Sequence, residues 1–212
     1  MEGVDDPCIS TSMGGWMIYR ATITSASLRL RESRIIAGLL IDGVDEAAWK
    51  DAMLERNVLQ MGSPESIKRI SRLLRARLTP LGAELWRLVR DGAREQATQA
   101  TFAGAIKNSR LLGDFMDITM REQRALFAKK LEYRMWSDYI AGCRGRDPDM
   151  PHWSDKTVAR LRSAVFSMLA EAGYLKDTRS LLLQNVFMDP EVAECLRAQG
   201  EHYVLRCMEV TE

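Results

Sequence analysis

Residues 68–77 hold five cations, Lys68, Arg69, Arg72, Arg75 and Arg77, and across 63–78 the only acid set against them is Glu65. At neutral pH such a cluster does not make or break bonds. It binds anions, and a DNA duplex offers phosphates along its backbone and acceptors on its guanine edges. At 100° per residue Lys68, Arg72 and Arg75 fall within about 60° of one another on a helix, with Arg69 at the edge of that face. Ile67, Ile70, Leu74 and Leu78 take the opposite face, so this helix has one side to bury and one to offer. Arg77 is the exception. It points into the apolar arc, is expected to snorkel or to pair with an acid, and is not assigned to DNA. A basic stripe is more often simply a solvated face. Two features tell against that plainer reading here: only one acid neutralises the stripe, and the helix follows two others in the order of a helix-turn-helix unit, in the reader's place.

A second set is Ser154, Lys156, Thr157 and Arg160 at the start of a helical pattern over 155–172, followed by Lys176 and Arg179 in the turn beyond it. Hydroxyls and free N–H groups at a helix start are suited to phosphate. Residues 151–212 carry 7 bases against 9 acids, so this signal is weaker, and a solvated helix accounts for it equally well. The net charge of +1 hides the distribution: 1–16 has three acids and no base, 17–90 has 13 bases against 8 acids, and 91–150 has 10 against 9.

Catalytic chemistry finds no foothold. There is no phosphate-binding G-x-x-x-x-G-K-[ST], no G-x-G-x-x-G and no G-x-S-x-G. The acids are scattered, and Lys156 directly follows Asp155, which is wrong for a nuclease-type acid-x-Lys. Cys8, Cys143, Cys195 and Cys207 lie far apart, with His152 and His202 the only histidines, so no zinc spacing exists. No catalytic residue, metal or cofactor is assigned, a small-molecule ligand is not expected, and the protein is read as non-enzymatic. Free thiols suit a reducing cytoplasm. Apolar runs such as 35–41 fall far short of the ~20 residues that span a bilayer, and the acidic start is wrong for a signal peptide.

The elements that must position these residues read as mainly α, multi-helical. The pattern gives helices over 24–41, about 46–57 behind Asp45, and 64–78, with Ser63-Pro64, Thr79-Pro80 and Asp189-Pro190 as cap-plus-proline starts. Residues 1–16 are expected to be a frayed leader, with Met13 or Met17 as a possible true start. Residues 17–90 form a helix-turn-helix-like part, and 91–141 form central connecting helices. Residues 142–151, with two glycines and two prolines, form a linker that cannot continue a helix. Residues 152–212 form a winged-helix-like part, in which Gly173 closes the helix with Tyr174 folding back on Leu169, and 180–187 and 202–210 read as strands.

Tyr19, Ser27-x-Arg29, Glu32-Ser33-x-x-Ile36-Ala37-x-Leu39-Leu40, Trp49, Asn57-x-Leu59-Gln60-x-x-Ser63, Lys68-Arg69 and Arg77-Leu78 form a pattern. It continues through Leu111-Leu112-x-Asp114-Phe115 and Met168-Leu169-x-Glu171-Ala172-Gly173-x-Leu175. In these positions, across about 19–210, the chain resembles the BrxA family of BREX phage-resistance systems. The resemblance implies an all-helical accessory protein likened to the NusB fold, with helix-turn-helix elements and duplex DNA as partner. It also implies other BREX proteins nearby, among them a methyltransferase, an ATPase and a phosphatase-like protein. Residues 1–16 fall outside the pattern. An adaptor whose basic stripe docks on an acidic protein, and an RNA binder, remain as the competing readings.

Overall fold

The structure, a computed structural model, describes residues 19–23 and 27–210. It is mainly helical. α1 (Leu30–Ile41), α2 (Glu46–Lys50, widened into a π-helical stretch over Asp51–Glu55) and α3 (Pro64–Leu78) come first. A 3-10 turn, Thr79–Leu81, leads into α4 (Gly82–Asp91), followed by α5 (Arg94–Asn108). α6 (Arg110–Asp114) runs through a second π stretch, Phe115–Met120, into α7 (Arg121–Ala125). α8 (Tyr133–Arg146), α9 (Asp155–Glu171), α10 (Pro190–Ala198) and α11 (His202–Met208) complete the order.

Cap chemistry explains where several of these begin. Ser63 accepts the Ser66 N–H with Pro64 at the first helical position, Asp45 accepts from Ala48, and Asp189 accepts from both Glu191 and Val192. Each satisfies N–H groups that the helix leaves orphaned. α1 starts later than its pattern suggests, at Leu30, because Arg29 adopts a left-handed φ of 50°. Thr79 is no N-cap. It keeps helical angles and gives its N–H to Arg75, so α3 runs on into the 3-10 turn and α4 starts at Gly82. A capping side chain needs extended backbone, which Thr79 lacks.

α5 is the buried axis of the fold, with Ala100, Phe102, Ala103, Ala105 and Ile106 inaccessible, and α3, α4 and α11 pack on it. A second cluster stacks Phe115 against Trp136, Tyr139 and Phe166 at centroid distances of 5.2 to 6.1 Å. Two readings of the sequence fail in this half. α8 continues through Gly142 to Arg146, because Cys143 fills the core and the Asp147 N–H closes on the Cys143 carbonyl. Asp147 and Met150 are buried as well. Residues 202–208 are helical, not a strand. Val204, Leu205, Cys207 and Met208 are buried while Arg206 is exposed, which is the stripe of a 3.6-residue period and not an alternation.

The segment 181–184 lies between 129–131 and 174–176 and pairs antiparallel with both, Lys130 facing Leu182 and Leu175 facing Leu183. Leu131 and Leu183 donate to Leu181 and Lys129, and Lys176 and Gln184 donate to Leu182 and Tyr174. Both are therefore non-hydrogen-bonded pairs, in which side chains sit closest. The pairing follows the turn that ends α9, where Gly173 takes φ 86° and Tyr174 and Gly173 donate to Leu169 and Ala170.

Asp114 ties distant parts together. It is 5% exposed and accepts from Tyr19 Oη at 2.7 Å, Tyr203 Oη at 2.7 Å and Arg110 Nε at 2.8 Å. Arg146 donates to Tyr19 Oη, and the Tyr19 N–H goes to Asp147. Burial, helped by the Asp114 carboxylate, pushes both phenols well above their usual range, so they stay donors. Losing one partner of a buried charged cluster costs about 3–5 kcal/mol. Asp114→Ala is expected to lower the urea-unfolding free energy by about 3 kcal/mol, whereas Asp149→Ala, at an exposed site, stays within about 0.5 kcal/mol. Equal effects would show the cluster to be energetically idle.

Candidate nucleic-acid interface

α3 is held by its apolar stripe, with Ile67, Ile70, Leu74 and Leu78 buried. That leaves Lys68, Arg69 and Arg72 exposed, and none of them meets a carboxylate within ion-pair distance among the described residues. The helix thus offers three exposed cations from a fixed axis.

Arg75, on the same face by helical angle, is placed differently. Its guanidinium lies 4.3 Å over the Trp49 ring and 2.6 Å from Glu46. Arg75 in turn holds the Glu46 carboxyl below the usual carboxylate range. Arg75 therefore belongs to the packing of α3 on α2 before it belongs to any ligand.

Arg77 does not reach solvent. It is fully buried, donates to the Ser27 carbonyl at 3.0 Å, and lies 3.8 Å from Met168 Sδ on α9. Burial pushes its guanidinium down to about 10, against the supporting charge of Glu171, so it remains a cation at neutral pH. Glu171 also accepts the Leu28 N–H at 2.9 Å. The two cation-bearing helices, α3 and α9, are in this way fixed to each other from inside the protein.

The other set sits on α9. Lys156, Arg160 and Ser163 are exposed on one stripe, and Leu161, Val165, Phe166 and Leu169 are buried. Ser154 acts as N-cap: its hydroxyl accepts the Thr157 N–H at 3.3 Å and lies 3.1 Å from the Thr157 hydroxyl. The pair therefore satisfies itself as well as facing outward. Arg179 is exposed in the turn 177–180. Asp177 braces that turn, accepting the Arg179 and Ser180 N–H groups and the Ser180 hydroxyl, which hold its carboxyl below the usual range.

The structure adds Lys130 to this group. Lys130 faces Leu182 across the pairing, Lys176 flanks Leu182 on the other side, and all three are exposed. Nothing in the sequence near Lys130 announces this, because the neighbour that matters is 52 residues away. The sequence-selected cations thus form two sets on two helices, Lys68, Arg69 and Arg72 on α3 and Lys156 and Arg160 on α9, with Arg179 beyond the second.

A groove of about 890 Å³ runs between α2 with its π extension and α3, its apolar wall formed by Trp49, Met53 and Leu54 and its edge by Lys68, Arg72 and Arg75.

The sequence profile of the BrxA family matches residues 17–200. A protein described as BREX protein BrxA from Paramagnetospirillum magneticum (strain ATCC 700264 / AMB-1) is 48% identical over 193 residues, 91% of this chain and 97% of its own length. One of the same description from Escherichia coli O9:H4 (strain HS) is 30% identical over 182 residues, 86% of this chain and 85% of its own. The crystal structure of an uncharacterized protein from Magnetospirillum magneticum superposes with a TM-score of 0.86 at 47% identity, over 91% of this chain and 99% of that one. With the family profile spanning most of the chain and a 48% identical relative covered almost end to end, the chain belongs to the BrxA family.

Proposed function

We propose that this protein is a non-enzymatic, duplex-DNA-binding accessory component of a BREX anti-phage defence system. The BREX setting comes from its relatives, described as BREX proteins. One observation carries the DNA reading: Lys68, Arg69 and Arg72 stand exposed, without a carboxylate partner among the described residues, on a helix whose opposite face is locked in the core. Cations already in ion pairs gain little from phosphate, because one partner only replaces another. Unpaired ones gain the counterion release that drives binding to duplex.

The C-terminal half supports the same reading. Residues 110–125, 129–131, α8, α9, 174–176, the turn 177–180 and 181–184 follow in the order of a winged helix, with the last segment central in the pairing. In that reading α9 is the reader helix, presenting Lys156 and Arg160, and Arg179 tips the wing. Ser154 and Thr157 place hydroxyls and a helix N-terminus at the backbone.

Binding of a labelled generic duplex, followed by anisotropy without nucleotide or metal, is expected to weaken steeply with salt, by about 0.9 log units per phosphate contact per log unit of salt. Lys68→Glu with Arg72→Glu should weaken it about ten-fold or more and flatten the salt slope by about two units. Absence of duplex binding at low salt, or an unaffected double variant, refutes the proposal, and preferential competition by RNA replaces duplex with RNA.

Arg75 should behave differently. Arg75→Glu removes the stacking on Trp49 and sets two carboxylates face to face, so a loss of about 1–2 kcal/mol in unfolding free energy is expected. Arg72→Glu should stay within about 0.5 kcal/mol. Equal stabilities would mean that the contacts of Arg75 contribute nothing.

A further inference from the structure

The groove between α2 and α3 offers more than a phosphate backbone can use. Four cations line it, Lys50 on α2 and Lys68, Arg72 and Arg75 on α3, against one acid, Glu46. Between these rims the wall is apolar, formed by Trp49, Met53 and Leu54. Packed helices stand about 8–10 Å apart, whereas the major groove of a duplex alone is about 12 Å wide. A duplex can ride on the rims, but it is too broad to enter and has no apolar row to lay along the wall. A single helix fits that space. We propose that the groove docks an acidic amphipathic helix of a partner protein, its apolar stripe on Trp49, Met53 and Leu54 and its flanking carboxylates on Lys50, Lys68 and Arg72.

Charge complementarity sets the sign of the partner. Glu46 lies 2.6 Å from Arg75, so this rim already receives a carboxylate. Lys68 and Arg72 are exposed and meet none within ion-pair distance among the described residues. The wall sets its shape. Along α3 the lining runs from Lys68 to Thr79, about 16 Å at 1.5 Å per residue. That is the length of about three helical turns, with apolar side chains recurring at i, i+3 or i+4, and i+7. Met53 and Leu54 come from the π-helical stretch Asp51–Glu55, a widening that is rare in helices and frequent at functional sites. At the far end Ala76, Thr79 and Pro80 are exposed, so nothing of this chain closes the groove there.

A helix seated in the groove covers Lys68 and Arg72, so partner and duplex exclude each other on α3. That exclusion rests on the duplex reading above, whereas the docking does not.

Panning a phage-displayed library of random peptides on the full chain tests this. The enriched sequences should combine acids with apolar residues spaced at i, i+3 or i+4, and i+7. A fluorescein-labelled synthetic copy of the most enriched peptide should bind about ten-fold or more weakly to Lys68→Glu with Arg72→Glu. It should lose as much with Ala76→Trp, which fills an exposed groove position without changing its charge. Lys156→Glu with Arg160→Glu on α9 should bind it like the unaltered chain. All these positions are exposed, and thermal melting followed by circular dichroism checks that each variant is folded. No enrichment, enriched peptides lacking acids or the apolar spacing, or binding indifferent to the α3 pair or to Ala76→Trp would each overturn the docking. The same peptide should displace labelled duplex at low salt. A peptide that binds without displacing duplex overturns the exclusion alone. A chain that binds the peptide and never binds duplex refutes the DNA reading and leaves the docking standing.

Discussion

A carboxylate taken out of water must be surrounded by donors or it destabilises the fold that holds it. Asp114 is surrounded by two phenols and a guanidinium that come from the chain entry, from α11 and from its own helix. Because the donors are far apart in sequence, satisfying this one group fixes the entry segment, α6 and α11 to one another, and Arg146 and Asp147 add α8 through Tyr19. The closeness of that assembly also sets the residue before it. A Cβ at Gly113 would come within 2.9 Å of the Tyr203 ring. Apolar packing tolerates many arrangements of similar volume, and a buried charge with three directed partners tolerates few.

Arg77 plays the complementary part in the other half. A cation inside an apolar helix stripe looks misplaced until its partners appear: the Ser27 carbonyl, Met168 and the charge of Glu171. Its burial costs stability, and the return is orientation. α3 cannot rotate about its axis without stranding that guanidinium, so Lys68, Arg69 and Arg72 keep their outward direction relative to α9. In the proposed duplex-binding reading, two cationic faces on independently moving helices would lose affinity to the entropy of aligning them. Faces held on one frame avoid that loss.

What the sequence reveals here follows the range of the interaction. α3 is legible residue by residue, because its cap, its proline and its stripe are all local. The closing turn of α9 is legible for the same reason, with Tyr174 donating back to Leu169. Of the candidate site, the exposed cations could be read from spacing, but the withdrawal of Arg75 into the Trp49 and Glu46 contact could not. Residues 142–151 look like a linker by composition, yet Cys143, Asp147 and Met150 find a core to fill. The stretch 202–208 has β-compatible residues, and only α11 places Tyr203 on Asp114 while burying Val204, Leu205, Cys207 and Met208. Long-range partners decide each of the failures.

The meeting of Tyr19 and Tyr203 on one carboxylate also sets an order in time. Tyr203 is made 184 residues after Tyr19 and 89 residues after Asp114. At about 5–20 residues per second, the wait of Asp114 for Tyr203 is on the order of four to eighteen seconds. Throughout it Asp114 lacks one of its donors, and water must serve in place of Tyr203. α1 to α5 can pack on one another as they emerge, but the half of the core around Asp114 stays hydrated until α11 is made. Synthesis of α11 is the step that lets the half of the core around Asp114 become dry.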